Sequence, residues 1–322
     1  MELTYFATSG GNFGDDLNLW LWDDLLPSWR DWKAPGHLVG VGTVLNSDLL
    51  PNGPKLVLGS GVGYGRRPDL SQGGPWDVRM VRGPRTALAL GLPPERAVCD
   101  PAVMLPRLPR FADIPRGAPR GNETLFVPHF LSADGQDWPT LCRRAGVAYQ
   151  GPGDDAEEVI RRIAGAGRVI AESMHAAIVA DAFGVPWTPV AVSPLFNGFK
   201  WGDWSESLGM ALPRVPIFYA PLRRAQSALR QVRGTPRPAA AGPERMDKAD
   251  AVSPTEGGYG RRARSSGPVA GGRVLRLLAP LTVRHLRHAA AGHFYLTDRT
   301  RLALQQDRIE EILAGVTKDY AG

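Results

Sequence analysis

The stretch 168–187, RVIAESMHAAIVADAFGVPW, constrains this chain more than any other. Arg168 to Ala171 is a short apolar run entered through Gly165 and Gly167, the pattern of a buried strand. Beyond Ile170 the period lengthens: Met174, Ala177, Ile178 and Asp181 with Ala182 fall at helical spacing, and Gly184 followed by Pro186 ends the helix. Ser173 is placed to cap that helix, which puts His175 in the first turn, beside Glu172. Free N–H groups and the positive end of the helix dipole favour an anion there. A histidine and a carboxylate at such a point are the parts of a site for a charged substrate. The alternative is a capped helix whose histidine is merely packed.

The same alternation of strand and helix runs through the rest of the chain. Leu3 to Ala7 reads as a first strand and enters the loop SGGNFGDDLN, followed by a helix with Leu17, Trp20, Leu21 and Leu25 on its apolar side. Strand, glycine loop and helix bring backbone N–H groups near a ligand, to which Asn12, Asp15 and Asp16 would be presented. A tight turn with Asp15 or Asp16 as a cap explains the same residues. His37 to Val44 and Lys55 to Leu58 are further strands, the latter opening into GSGVGYG around Gly61. A second glycine loop at a strand end favours a ligand cleft. A strand over Asp77 to Val81 then leads to Arg82-Gly83-Pro84-Arg85, with Pro84 suited to a first helical turn. Arg82 and Arg85 flank a helix N-terminus, so either they are solvated or they share an anion with it. Ala97 to Leu105 reads as a last strand and exit loop, and Pro106 to Asn122 as a proline-rich linker.

A second series follows: a strand over Thr124 to Val127 ending at Pro128-His129, a helix over Trp138 to Ala145, a strand over Val147 to Tyr149, and a helix over Glu157 to Ala164. The expected fold is therefore α/β, with two Rossmann-like doubly wound domains, 1–108 and 122–212, facing across a cleft. Lys200, Trp201, Asp203 and Trp204 could line a sugar or anion site, or belong to a surface helix with packed tryptophans. Residues 235–272 turn to Pro, Gly, Ala, Ser and Arg, a composition expected to be disordered. In 273–322, Leu275 to His288 reads as a basic amphipathic helix and Tyr295 to Val316 as a helix that docks back on the body.

The net charge of +6 hints at nucleic acid, so its location matters. Between Arg214 and His293 there are 15 basic and 4 acidic residues, a local +11; the other 23 basic and 28 acidic residues give −5. The basicity belongs to one segment, which suits an anionic membrane surface or a solvated linker, and no nucleic-acid partner is expected. There is no uninterrupted apolar run near the ~18 residues of a membrane span, and no secretory signal is visible at the start. Cys99 and Cys142 lack metal or redox spacing, so a cytoplasmic location is expected, with contact at the inner face of the plasma membrane an added expectation from the basic segment.

NFGDDLN, GSGVGYG, VRGPRTA, DPAV, FVPH and AESMHAAIVADAFGVPW, in this order, resemble the polysaccharide pyruvyltransferase family, in particular its exopolysaccharide pyruvyl ketal branch. The resemblance covers about Leu3 to Trp204 and resumes at the last helix. It implies a fold similar to GT-B glycosyltransferases, and transfer of the enolpyruvyl carbons of phosphoenolpyruvate onto two hydroxyls of one sugar, closing a cyclic ketal. The partners implied are phosphoenolpyruvate and a saccharide acceptor, which a lipid carrier could hold, with no cofactor and no metal. Many relatives carry Arg-Leu-His where this chain has Ser173-Met174-His175, and an arginine where it has His129. Two anion clamps are thus altered, and Arg82, Arg85, His129 and Lys200 are the available replacements, with Asn12, Asp16, Gly61 and Ser173 as further substrate contacts. Protonating C3 of the donor asks for an acid that titrates near neutrality, which favours His175; a carboxylate to deprotonate a sugar hydroxyl makes Glu172, Asp15 and Asp16 candidates. Two other functions share these features. A GT-B glycosyltransferase using a nucleotide sugar would have the same loops, and a membrane-peripheral scaffold would use only the basic segment.

Overall fold

A computed structural model describes residues 1–34, 36–114, 121–134, 136–193, 196–213, 215–216 and 272–321. Two parallel four-stranded sheets carry the fold. The first is ordered β1 (Glu2–Thr4), β2 (His37–Val39), β3 (Lys55–Leu58) and β4 (Trp76–Met80). The second contains β5 (Thr124–Val127), β6 (Ala148–Tyr149), β7 (Arg168–Ala171) and β8 (Trp187–Pro189), ordered β6-β5-β7-β8. After Lys55 and Thr124 at their starts, β3 and β5, like the inner part of β7, are apolar on both sides, as strands covered on two faces must be. In the second sheet the chain leaves β5 for one neighbour and returns through β7 on the other side. The gap between their carboxyl ends is a topological switch point, where open α/β sheets place ligands.

Strands β3, β5 and β7 have the expected bounds, β1, β2 and β6 are shorter than expected, and β4 is shifted by one residue. The helix after β1 is broken into α1 (Phe13–Asp16), a 3-10 turn (Leu17–Leu19) and α2 (Leu21–Leu25). Leu17 and Leu21 are buried as their spacing requires. Asn18 explains the break: its amide donates to the carbonyls of Asp15 and Val41, and its oxygen accepts from the Val41 N–H and the Trp22 indole. Helix α3 spans Pro84–Ala89 with Pro84 in its first turn. Ala97–Leu105 contains only a single parallel bridge, Val81 to Ala97, followed by a 3-10 helix over Pro101–Arg107. The expected linker from Pro106 is ordered as far as Ile114, because Leu108 and Phe111 are buried; part of it lies outside the described residues.

In the second half, α4 (Phe130–Ala133), α5 (Trp138–Ala145), α6 (Ala156–Gly165) and α7 (Met174–Ala182) complete the layers. Helix α7 is buried along its whole length, wedged between its own sheet and the 3-10 helix of the first half. That explains why its sequence is apolar all round rather than amphipathic. Helix α8 (Gly198–Ser207) lies against α3. Trp201 and Trp204 are core, packed on Trp187 with ring centroids 5.9 and 5.2 Å away, so they do not form a sugar platform.

The expected disordered segment 235–272 lies outside the described residues except for its last residue. Helix α9 (Gly272–Ala290) begins there, and Val283, Leu286 and Ala289 bury against α5 and the second sheet. Part of its apolar face is therefore used by the protein itself, while Leu281 remains exposed. The chain then pairs Tyr295 with Trp187 as an antiparallel bridge, and Asp181 accepts hydrogen bonds from the Thr297 N–H (2.9 Å) and Arg299 (3.0 Å). Helix α10 (Arg299–Tyr320) docks on the first half as expected, with Leu302, Ile309, Leu313 and Val316 inward. Leu304 points outward.

Candidate active site

The carboxyl ends of the two sheets bring five side chains of the expected set close together: Asn12, Asp15, His129, His175 and Lys200. Asp100 joins them. Ser173 caps α7 through its Oγ, which accepts from the Ala176 N–H at 3.4 Å, and this holds His175 in the first turn. The imidazole lies across Gly14 of α1, where a Cβ would stand 1.9 Å from Nδ1, so only glycine at that position lets the two halves approach. On its other side, Nε2 faces Asp100 Oδ2 at 3.8 Å. Both atoms are buried and neither makes a hydrogen bond.

Asp15 sits next to Gly14. Its carboxylate accepts a 2.5 Å hydrogen bond from the Asn12 amide, and burial pushes its pKa up to about 6, against the pull of His175 and Lys200. Asp16 accepts from the Asn12 N–H at 2.8 Å, so it closes the loop at the start of α1, and burial raises its pKa. The glycines of this first loop serve a different purpose from the one expected. Gly11 and Gly153 meet backbone to backbone, and the Phe13 N–H donates to the Pro152 carbonyl at 2.9 Å. The loop fastens the halves to each other.

Lys200, in the first turn of α8, is buried, with its Nζ 5.0 Å from the centre of the Tyr64 ring. Among the described residues it has no carboxylate within ion-pair distance, and the neighbouring Tyr64 hydroxyl is buried without a hydrogen bond. His129 follows β5 and its Nδ1 accepts from the Leu131 N–H at 3.3 Å, which leaves the ring proton on Nε2. Burial first, then Lys200 and His175, hold its pKa well below the usual imidazole range. His129 is therefore neutral at pH 7, a hydrogen-bond donor and not an acid.

Four expected site residues have structural parts instead. Glu172 is consumed by backbone: Oε2 accepts from the His129 N–H at 3.0 Å, and Oε1 from the N–H groups of Val192 and Ser193 at 3.2 and 2.9 Å and from the Ser193 hydroxyl. It ties the loop after β8 to the turn carrying His129, so it is not free to act as a base. Arg82 is wholly buried in an ion pair with Asp203, Nε to Oδ2 at 3.0 Å, and donates to Thr43 Oγ1 and the Val62 carbonyl. Gly61 makes room for that guanidinium, since a Cβ would come within 2.3 Å of it; its glycine serves packing and not ligand approach. Arg85 forms a paired contact with Glu206 across α3 and α8, Nη2 to Oε1 at 2.6 Å. Neither arginine is an available anion clamp. Sequence reading missed Asp100 and Tyr64. The Asp-Pro step ahead of a helical turn marks Asp100 as a cap, confirmed by its Oδ1 accepting from the Ala102 N–H at 3.0 Å.

Asp15 yields a stability prediction. Its folded pKa of about 6 lies above the ordinary 3.8, so between those values the native state holds a proton that the unfolded chain has lost. Stability must fall as pH rises through that window, and the deficit persists above it. Asp15→Asn should therefore be more stable than wild type at pH 7 to 8, by on the order of 2 kcal/mol. Near pH 4 the advantage should vanish, and urea unfolding at the two pH values measures both.

Two parallel sheets, with Asp15, His129, His175 and Lys200 gathered near their carboxyl ends, define an α/β protein with a candidate site there. A family model for polysaccharide pyruvyl transferase matches residues 56–194. Over 331 aligned positions, 99% of this chain and 100% of the relative, the chain is 40% identical to the succinoglycan biosynthesis protein ExoV of Rhizobium meliloti (strain 1021). No solved structure matches. The chain belongs to the polysaccharide pyruvyl transferase family and is a pyruvyltransferase. This sets aside both the nucleotide-sugar glycosyltransferase and the non-catalytic scaffold.

Proposed function

We propose that the enzyme transfers the pyruvyl group of phosphoenolpyruvate onto two hydroxyls of one sugar of an exopolysaccharide precursor, closing a cyclic ketal and releasing phosphate. The observation that carries this reading is the buried Lys200 with no carboxylate within ion-pair distance among the described residues, set near the neutral His129 and within the field of Asp15. A buried ammonium without a counter-charge is costly, and an anionic substrate supplies the missing charge. Lys200 and His129 Nε2–H receive the phosphate and carboxylate, standing in for the two family arginines. The Tyr64 hydroxyl is a further donor.

His175 gives a proton to C3 of the donor. The π pair forms the new C–H bond, and C2 becomes cation-like and takes the first sugar oxygen. Asp15, whose pKa of about 6 leaves it mostly ionised at pH 7, accepts the proton of that hydroxyl. The C2–O bond to phosphate then breaks, and the second hydroxyl closes the ring and gives its proton to the departing phosphate. The two halves are read as a GT-B-like pair, with phosphoenolpyruvate held between them and the sugar entering from the open side.

Phosphoenolpyruvate alone should raise the melting temperature, by mass action on the native state, and nucleotide sugars should not. With acceptor saccharide and heavy water, phosphate should be released and one deuterium should enter the ketal methyl group. Stabilisation by a nucleotide sugar and none by phosphoenolpyruvate would overturn the assignment.

A membrane-held acceptor remains compatible with the outer face of α9. Arg284 and Arg287 are exposed there beside Arg143 and Arg144 of α5, and Arg287 donates to the Arg144 carbonyl at 2.6 Å. Because Val283, Leu286 and Ala289 are buried against the protein, the arginines would supply most of the attraction to a bilayer, about 1 kcal/mol each. Co-sedimentation with anionic vesicles should disappear as salt rises, and Arg284→Glu with Arg287→Glu should abolish it; binding to neutral vesicles at all salt concentrations would contradict this.

A further inference from the structure

The Asp100–His175 pair is the sharpest unexplained contact between the halves. Asp100 is fully buried, and its Oδ1 is used by the Ala102 N–H. Its Oδ2 makes no hydrogen bond and faces His175 Nε2, equally without one, at 3.8 Å. A buried carboxylate needs a counter-charge or a donor for each oxygen, and leaving one unmet is costly. Two orphaned polar atoms of opposite character pointing at each other are explained together if a proton sits between them.

We propose that Asp100 is the positioning residue for His175: it fixes the ring with Nε2–H toward itself, stabilises the imidazolium, and so leaves Nδ1, on the α1 side over Gly14, as the nitrogen that exchanges a proton with the substrate. This rests on the reading of His175 as the acid. The logic is that of a carboxylate, a histidine and a reacting atom in line. In the step itself Nδ1–H is broken, its proton goes to C3 of the enolpyruvyl group with the C2–C3 π pair, and the neutral imidazole keeps Nε2–H against Asp100. The proton is restored from the first acceptor hydroxyl by way of Asp15, so the cycle closes without another reactant.

Every charged or titratable group facing His175 belongs to the account. Asp100 comes from the 3-10 helix after the first sheet, Asp15 from α1, His129, which is neutral, from the end of β5, and Lys200 from α8. Asp100 is the carboxylate that faces Nε2, so replacing it removes the negative charge on that side of the ring.

Asp100→Asn tests this with little change of shape, because an amide oxygen can still accept from the Ala102 N–H. Its NH2 would then meet Nε2 and favour the tautomer with the proton on Nδ1 and no charge. The C2–H resonance of His175, followed by NMR on the full chain, should titrate about one unit or more lower than in wild type. Turnover should fall at least 100-fold at pH 7, the high-pH limb of the kcat profile should move down in step, and KM for phosphoenolpyruvate should change by less than threefold. Asp100→Ser, which keeps the cap and drops the charge, should reproduce the titration shift if the asparagine variant folds poorly. An unchanged His175 titration in a folded variant would overturn the pairing. Should His175→Gln be fully active while the titration still shifts, the pairing stands and the assignment of the acid fails, so the two failures are separable.

Discussion

His175→Gln should lower turnover by about 10²–10⁴-fold, the usual effect of losing one general acid or base, or roughly 3–5 kcal/mol of barrier. Glutamine keeps much of the size and some hydrogen bonding, so α7, which is held by its Ser173 cap and by burial along its whole length, should remain in place. Phosphoenolpyruvate affinity is assigned to Lys200 and His129, so the donor should still raise the melting temperature of the variant. Single-turnover deuterium incorporation at the ketal methyl reads the affected step directly. Turnover within a few-fold of wild type would move the acid elsewhere. His129 is a poor successor, because burial and Lys200 keep it neutral. Asp15, which is still partly protonated near pH 6, would be the next group to replace.

The alternation of strands and helices, both sheets and the place of His175 were legible because each rests on local pattern. A Gly-flanked apolar run followed by a capped helix reads the same way in any context. What escaped was decided by partners far away in sequence. Arg82 and Arg85 look like anion clamps from the VRGPR stretch alone, yet each is paired with a carboxylate 121 positions later, on α8. Glu172 looks like a base until the turns after β5 and β8 donate to it. Gly10 and Gly11 look like a ligand loop, but they are the surface on which the second half rests. Glycine marks close approach, and the sequence does not say whether a ligand or another backbone approaches. Asp100 was hidden for the opposite reason: its local role as a cap is visible, and its second oxygen acquires meaning only from His175 across the junction.

Asp203→Ala should be the most destabilising single change in the molecule. Asp203 is wholly buried and accepts from Arg82 Nε at 3.0 Å, from the Thr86 N–H at 2.9 Å and from Thr86 Oγ1 at 2.6 Å. Arg82 is equally buried, so truncation leaves a guanidinium in the interior without its anion, together with an uncapped N–H at the start of α3. Breaking a buried pair on one side typically costs 3–5 kcal/mol, which in a chain of this size lowers the melting temperature on the order of 10 °C. The double variant Arg82→Met with Asp203→Leu should be less destabilised than Asp203→Ala, because no charge is left stranded; a double variant showing the simple sum of the single losses would mean the two side chains act independently. The functional consequence follows from where the pair sits. Asp203 fastens α8 to α3, and the first turn of α8 carries Lys200, so loosening this joint displaces the buried cation relative to His129. In the folded fraction of a mild variant, Asp203→Asn, KM for phosphoenolpyruvate should rise several-fold while the high-pH limb of the kcat profile stays where it is in wild type.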